Sequence, residues 1–284
     1  MSDVSLVRPV TPVSSLRAIR RVVSMHLAFA SMSLKSRMVH IAGVWLDFLF
    51  QMINIAAFVY FWRGVYAGNA SIAGLNLQQT LNYVILAQML LPLLEGPMVW
   101  DFGYLLREGQ LAMELMRPFD FQSQFYARDF TRLLFMLAQR VPVLLVAWLF
   151  FGLRLPSDWR VWLTFTIALV LGHSVIFFFE WTFACLAFYT TEIRGLFQAR
   201  AGLARFLSGS FVPLVMMPGW LQTVAKSFPF AQAIWVPVSL LSGSTPLTDA
   251  PRIWLVQALW LIGLALFSRL IFKIAVRKIT IQGG

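Results

Sequence analysis

Residues Met98–Phe121 read MVWDFGYLLREGQLAMELMRPFDF and form a polar interruption between two long apolar runs. The rest of the chain largely avoids charge, but this stretch concentrates six charged residues: Asp101, Arg107, Glu108, Glu114, Arg117 and Asp120. A membrane span needs about 20 mostly apolar residues, so the two flanking runs are long enough to lie in a bilayer. The charged stretch between them must therefore lie outside the lipid, where another molecule can contact it.

Helical periodicity divides this stretch into two faces. At about 100° per residue, the apolar face consists of Phe102, Leu105, Leu106, Gly109, Ala112, Met113 and Met116. Tyr104, Leu111 and Leu115 project from the charged face instead, and an apolar cluster rimmed by charge is typical of a protein-binding surface. An amphipathic helix lying on the membrane explains the pattern equally well. Pro118 limits the helix, because the residue before a proline is driven out of the α region.

The overall composition is that of an integral membrane protein. Of the 284 residues, 59% are hydrophobic and 12% are charged, whereas soluble domains carry about 25% charged residues. No long polar block is present that could fold as a soluble domain, so residues 1–284 are expected to form one membrane domain. The single cysteine, Cys185, excludes an internal disulfide and a cysteine-cluster metal site, and is expected to be a packed thiol.

The apolar runs predict an all-α polytopic fold with six transmembrane helices. The predicted spans are residues 38–62, 79–99, 130–153, 160–189, 201–217 and 252–275. The fifth is the least regular, because prolines recur every few residues through the segment 213–250 that follows it. Within that segment, Gly219–Phe228 and Ala231–Leu241 are expected to be re-entrant or interfacial helices.

Basic residues predict the orientation of the protein. Residues 14–37 form a basic amphipathic pattern that suits the cytoplasmic interface of a membrane. With the N-terminus inside, 18 of the 23 Lys and Arg residues fall on the cytoplasmic side, against Arg63, Arg154, Arg160, Lys226 and Arg252 outside. Both termini are therefore expected in the cytoplasm. The net charge of +11 is a topology signal, so nucleic-acid binding is not expected.

The order of these elements resembles the membrane subunits of ABC-2 type ABC exporters. The run REGQLAMELMRPFDFQSQFYARDF is similar to a G-x-L-x-x-x-L-x-R-P segment of one bacterial ABC-2 subfamily. The residues that match this segment are Gly109, Leu111, Leu115, Arg117 and Pro118. The terminal Gln282-Gly283-Gly284 matches the usual C-terminal end of that subfamily. The resemblance implies an exporter of the bacterial inner membrane, built from two such permeases, identical or paralogous, and two ATPase subunits.

The resemblance also implies what the 98–121 segment does. No G-x-x-x-x-G-K-[ST] motif occurs in the chain, so ATP and Mg²⁺ are expected on a separate cytoplasmic ATPase, and this chain is expected to bind no cofactor and to be no enzyme. The segment would be the coupling helix that contacts this ATPase. Its contact residues would be Tyr104, Arg107, Glu108, Gly109, Leu111, Glu114 and Leu115.

Polar residues within the predicted spans are candidates for the substrate route, because charge in lipid is costly. Asp47, Gln51 and Asn54 share one face of span one, and His173 and Glu180 share one face of span four. Two interpretations remain open. Arg140 of span three could form an ion pair with Asp47 or Glu180 that only fixes helix packing, or these residues could line a polar route.

Two further residues near these positions favour structural explanations. Glu95, with Gln88 and Pro92 on the same face of span two, is either a solvated helix end or a gate. His173 has no second histidine or cysteine in helical register, so a metal site is not expected.

Two other functions remain compatible with the sequence. A secondary carrier or channel would explain the intramembrane carboxylates, although no inverted repeat is visible. A membrane-embedded lipid-modifying enzyme would require catalytic residues clustered at one interface, and no G-x-S-x-G or H-E-x-x-H motif is present. Sparse polarity in the spans favours an amphipathic or hydrophobic substrate without identifying it.

Overall fold

The computed structural model describes residues 41–116, 120–190 and 193–277. The predicted interface helix 14–37, the motif residues Arg117 and Pro118, and the terminal Gln282-Gly283-Gly284 lie outside the described residues. Within them the chain is helical and contains no strand, only an isolated bridge between Ile72 and Leu75. The helices are α1 Ile41–Val65, α2 Leu77–Leu90, α3 Met98–Arg107, α4 Leu111–Leu115, α5 Phe121–Phe151, α6 Trp159–Ala184, α7 Ile193–Leu207, α8 Gly219–Lys226, α9 Pro229–Ala233, α10 Trp235–Leu241 and α11 Ala250–Val276. Short 3₁₀ turns extend α2 (Leu91–Leu94) and α6 (Cys185–Phe188), and two more occur at Leu214–Met216 and Leu247–Asp249.

Local sequence signals set several helix ends. Asn76 caps α2 by accepting the Gln79 N–H at 2.9 Å, and the Gln79 side chain accepts the Asn76 N–H in return, forming a capping box. Asp120 caps α5 in the same way by accepting the Ser123 N–H. Gly152, at φ 74°, ends α5 in the left-handed conformation that favours glycine.

The apolar helices confirm an all-α polytopic membrane protein. Five helical stretches are long and apolar enough to cross a bilayer: Ala42–Val65, Leu77–Arg107, Phe121–Phe151, Trp159–Phe188 and Leu247–Val276. A further crossing is available from Gly219–Lys226 and Pro229–Leu241, which meet at a bend of 75°. The predicted position of span five at 201–217 is wrong, because α7 ends at Leu207 and the chain turns at Gly209, whose φ is 77°.

Helix directions define the two ends of the bundle. Gln51 donates to the Gln88 carbonyl and Tyr66 to the Leu75 carbonyl, so α1 and α2 are antiparallel. The Tyr126 hydroxyl lies 2.7 Å from that of Ser174, and Phe121 packs on Trp181, so α5 and α6 are antiparallel as well. We call the end that carries α3 the α3 end. There α1, α5 and α7 begin, and α2 and α6 end.

The segment between α6 and α11 must return across the bundle. Gln257 donates to the Ala168 carbonyl at 2.9 Å, and Phe272 packs on Trp181 with ring centroids 5.3 Å apart, so these two helices are parallel. A parallel pair requires the intervening chain to travel from the α3 end to the opposite end. The broken helices α7 to α10 make this crossing.

Close packing buries α9 and α10, the last part of this crossing, inside the protein. The backbone of α9 approaches α6 so closely that a Cβ on Gly172 would lie 2.3 Å from the Gln232 carbonyl oxygen. The same carbonyl accepts a hydrogen bond of 3.0 Å from the Gln257 side chain. Irregular backbone at membrane depth is stable only when protein or a wet cavity satisfies its polar groups, and α6 and α11 provide that shielding here.

Candidate functional site

Helix α3 packs one face against an aromatic cluster and leaves the other exposed. Phe102 is 1% exposed, and its ring centroid lies 4.8 Å from that of Trp181 and 5.6 Å from that of Phe125. Asp101, Tyr104 and Arg107 are exposed on the other face. The face assignment predicted from helical periodicity therefore holds for α3.

The face assignment is wrong for α4, because the predicted single helix is broken. Gly109 adopts φ 65°, in the left-handed region, and separates α3 from α4. The break rotates α4, so that Leu111 is buried at 2% exposure and Leu115 is half-buried against the aromatic cluster. Met113 and Met116, predicted on the buried face, are 64% and 83% exposed.

The exposed residues of α3 and α4 define one surface at this end of the bundle. We call Tyr104, Arg107, Glu108, Met113 and Met116 the α3–α4 surface. Gly109 is exposed in the turn between the helices, and Glu114 is half-buried beside them. The apolar members of the surface are thus a tyrosine and two methionines, and methionine adapts its shape readily to a partner.

A cluster of buried charges holds the break between α2 and α3. We call residues Pro92–Pro97 the α2–α3 joint. Arg200 of α7 donates to the Leu94 carbonyl at 2.6 Å and forms an ion pair with Glu180 of α6. The side chains of this pair are only 1% and 4% exposed. The last backbone carbonyls of α2 are therefore tied to two other helices.

Helix α5 reaches the same joint through Arg132. Its Nη1 donates to the Pro92 carbonyl at 3.3 Å, while its Nε donates to Asp129 at 2.7 Å. The Nε2 atom of His173 lies 3.3 Å from the other Asp129 oxygen, a contact whose angle does not make a hydrogen bond. The joint cluster therefore consists of Asp129, Arg132, His173, Glu180 and Arg200.

Gly96 makes room for this cluster. A Cβ at this position would lie 2.7 Å from Glu180 Oε2 and 3.2 Å from Arg132 Nη2. The carboxylate thus rests directly on the backbone of the joint. On the outer side Arg205 of α7 donates to Glu95 through Nε at 2.8 Å and through Nη2. Charged side chains from three helices therefore converge on one six-residue segment.

Of the two partners considered for Arg140, Glu180 is excluded, because Glu180 pairs with Arg200. His173 and Glu180 do share a buried face of α6, as the sequence predicts, but they lie in the joint cluster and not beside Asp47. Arg140 lies near Asp47, and the two side chains interact electrostatically without forming an ion pair.

A polar groove runs beside the joint. Its volume is about 420 Å³. Asp47, Gln51 and Asn54 of α1 line it together, as their spacing predicts, opposite Gln88 of α2 and Glu95 of the joint. The remaining lining residues are Phe50, Leu91, Pro92, Arg140, Arg205 and Phe211. The sequence prediction that Gln88, Pro92 and Glu95 share a face is therefore correct, and that face opens into the groove.

Arg140 lies at the boundary between this groove and an apolar cavity. The cavity measures about 150 Å³ and is lined by Leu86, Met89, Leu90, Leu137, Arg140, Leu144, Trp162, Phe165 and Leu241. The Nε atom of Arg140 is buried and has no hydrogen-bond partner among the described residues. One guanidinium therefore contacts a polar groove and an apolar cavity.

Sequence reasoning missed three members of the joint cluster. Asp129, Arg132 and Arg200 lie near the predicted ends of spans, where charge is ordinary and a basic residue predicts only the orientation of the chain. The spacing of Asp129 and Arg132, three residues apart on α5, is the one local signal of their pairing. No local signal connects Arg200 with Glu180.

The fold and these sites define a helical membrane protein with an exposed α3–α4 surface at one end and a polar groove beside the α2–α3 joint. A scan against family models matches residues 52–283 to the ABC-2 family transporter protein model. The chain belongs to this family and is the membrane domain of an ABC-2 transporter. No curated protein matches the chain. Its membership assigns the chain a permease role in transport across a membrane.

Proposed function

We propose that this protein is the permease subunit of an ATP-driven exporter whose ATPase is a separate chain. The observation that carries the proposal is the exposed α3–α4 surface, which continues directly into a joint clamped by charges from three other helices. The sequence of 284 residues lacks a P-loop, so ATP and Mg²⁺ would bind to the partner. The excess of basic residues supports an orientation in which the α3 end and both termini lie on the cytoplasmic side of the bacterial inner membrane.

The joint provides a path for coupling. A push on the α3–α4 surface moves Met98 and the adjoining Pro97, because these residues start α3. Gly96 and Glu95 are held by Glu180 and Arg205, so the displacement passes to α6 and α7. Packed charge networks of this kind have discrete arrangements and transmit motion between sites.

The groove is the proposed substrate route. It lies next to the joint, and Arg205 and Glu95 belong to the groove wall as well as to the joint. Helix α1, which contributes Asp47, Gln51 and Asn54, is largely exposed along its length. A second permease copy, identical or paralogous, would cover this face and enclose the groove.

A secondary carrier is the competing function. The buried residues Glu180 and His173 and the half-buried Asp129 favour it, because intramembrane ionisable residues form the proton relays of carriers. A carrier would transport substrate under an ion gradient without ATP. An ionophore would then abolish transport, whereas vanadate would leave it unchanged.

The α3–α4 surface provides the test. The affinity-tagged permease is isolated from its native membranes in mild detergent, and the eluate is assayed for vanadate-sensitive hydrolysis of MgATP. We expect hydrolysis with the native protein and its loss with Met113→Asp/Met116→Asp, since two carboxylates replace the apolar contact residues. The matched control Met113→Leu/Met116→Leu keeps the surface apolar and should retain the activity.

Two results would contradict the proposal. Eluates of the native protein that hydrolyse no ATP, together with ionophore-sensitive transport, would favour the carrier. Full ATPase recovery with the aspartate variant would show that the partner binds elsewhere. Size-exclusion profiles of all variants control for folding.

A further inference from the structure

Arg140 is half-buried, and among the charged residues that border the groove it is the one with a buried donor atom left without a hydrogen-bond partner in the described part of the chain. Its Nε is buried without a hydrogen-bond partner, although guanidinium N–H groups are strong donors. Asp47 lies near enough to interact electrostatically but forms no ion pair with it. The other basic residue of the groove, Arg205, donates two hydrogen bonds to Glu95.

The apolar cavity beside Arg140 has the size of a small hydrophobic group. Its volume is about 150 Å³, and apart from Arg140 and the Trp162 indole N–H its lining side chains are hydrocarbon or thioether. The indole N–H of Trp162 is already used, since it donates to the Pro156 carbonyl at 3.0 Å. An apolar space of this volume accommodates a molecule of about the size of benzene.

We propose that Arg140 and this cavity form a binding site for an anionic amphiphile. The carboxylate or phosphate of the ligand accepts hydrogen bonds from Arg140 at the edge of the groove. A phenyl-sized apolar group of the same ligand fills the cavity between Leu90, Leu144 and Trp162. The inference rests on the proposed function, because it assigns a chemical class to the substrate of the groove.

The anion is favoured over a cation by the positions of the two charges. Arg140 borders both the cavity and the groove, whereas Asp47 is exposed, borders the groove and a second pocket beside α1, and does not line the cavity. A ligand whose apolar group fills the cavity therefore places its polar group next to Arg140 first. Charge-assisted hydrogen bonds of this type are about twice as strong as neutral ones.

The test measures binding without nucleotide or transport, so its result is independent of ATP coupling. The purified full-length protein in a neutral maltoside detergent is titrated with para-fluorohydrocinnamate, its neutral amide and the corresponding amine, followed by fluorine NMR of the ligand. We expect the acid to bind about tenfold or more tightly than the amide, because only the acid forms charge-assisted hydrogen bonds. Equal binding of acid and amide, or tighter binding of the amine, would overturn the proposal.

Four variants assign the two halves of the site. Arg140→Gln should remove the preference for the acid, and Arg140→Lys should restore most of it, which excludes simple misfolding. Leu144→Phe should fill the cavity and weaken acid and amide alike. The matched control Leu145→Phe, at a neighbouring side chain that is 56% exposed, should leave both affinities unchanged. An unchanged preference in Arg140→Gln would refute the role of the guanidinium.

Competition identifies the source of the ligand. A short-chain phosphatidylglycerol that displaces the acid, where phosphatidylcholine does not, indicates an anionic membrane lipid. Failure of both lipids to compete indicates a free amphiphilic acid. Displacement by both lipids alike would show that charge is not recognised and would count against the site. If the native permease co-purifies with no ATPase but still binds the acid, the proposed function is contradicted and the proposed binding site is not.

Discussion

The joint cluster and the polar groove contain the same types of charged side chain, in equal numbers but in different surroundings. The joint cluster has two carboxylates and two guanidiniums, from Asp129, Glu180, Arg132 and Arg200. The groove is lined by the same set, from Asp47, Glu95, Arg140 and Arg205. Only their exposure and hydrogen bonding separate the two regions.

The pairs at each location differ in their expected energetic weight. Glu180 and Arg200 are 4% and 1% exposed, and Arg200 also binds a backbone carbonyl. Glu95 and Arg205 are 32% and 44% exposed. Breaking a buried pair costs about 3–5 kcal/mol, whereas exposed pairs contribute about 0–1 kcal/mol. The buried pair is therefore expected to contribute more to the stability of the fold than the exposed pair in the groove.

Breaking the buried pair should have the largest effect on stability. Glu180→Leu or Arg200→Met each leaves an uncompensated charge among three helices, and each should lower the free energy of unfolding by about 3–5 kcal/mol. The double variant should lose less than the sum, because neither charge is left without a partner. Thermal unfolding in detergent, followed by far-UV circular dichroism, measures all three. If the loss in the double variant equals the sum of the two single losses, the two side chains do not interact in the detergent-solubilised protein.

Adding a methyl group at Gly96 of the joint should have an intermediate effect on stability. In Gly96→Ala the new Cβ lies 2.7 Å from Glu180 Oε2, so the carboxylate must shift, at a cost of about 1–3 kcal/mol. The matched control is Gly202→Ala on α7, where a Cβ meets nothing within 4 Å. That variant should be neutral or stabilising by up to about 1 kcal/mol, because alanine favours a helix. Equal melting temperatures for the two variants would contradict the close contact at the joint.

Sequence reasoning succeeds where one helix contains the whole pattern. The polar stripe of Asp47, Gln51 and Asn54 depends only on helical spacing, and the structure places all three in one groove. The same holds for Gln88 on α2 and Glu95 just after it. The six-span outline also depends on local hydrophobicity, and only its fifth member is misplaced.

The errors arise where tertiary packing or backbone conformation decides. The partner of Glu180 comes from another helix, Arg200, and no local pattern reports how two helices meet. Gly109 occupies an ordinary position in the helical pattern, but its left-handed conformation ends α3 and changes the face that α4 buries. An isolated glycine in a helical pattern is a known warning of this kind. Leu111, which the pattern places on the charged face, is therefore buried. Met113 and Met116, which the pattern places on the apolar face, are exposed.

Opening the exposed pair should have the smallest effect on stability. Glu95→Gln and Arg205→Gln should each change the free energy of unfolding by less than about 1 kcal/mol, since water solvates either charge once its partner is gone. Raising the ionic strength should reduce the difference further, because salt screens exposed charges. The charge exchange Glu95→Arg/Arg205→Glu keeps the pair and controls for the loss of either side chain. A loss of several kcal/mol in the single variants would mean that the groove is closed over this pair, for example by a second subunit. Repeating the unfolding measurement across a range of protein concentrations would separate the two cases, because only an intersubunit contact makes the melting temperature depend on concentration.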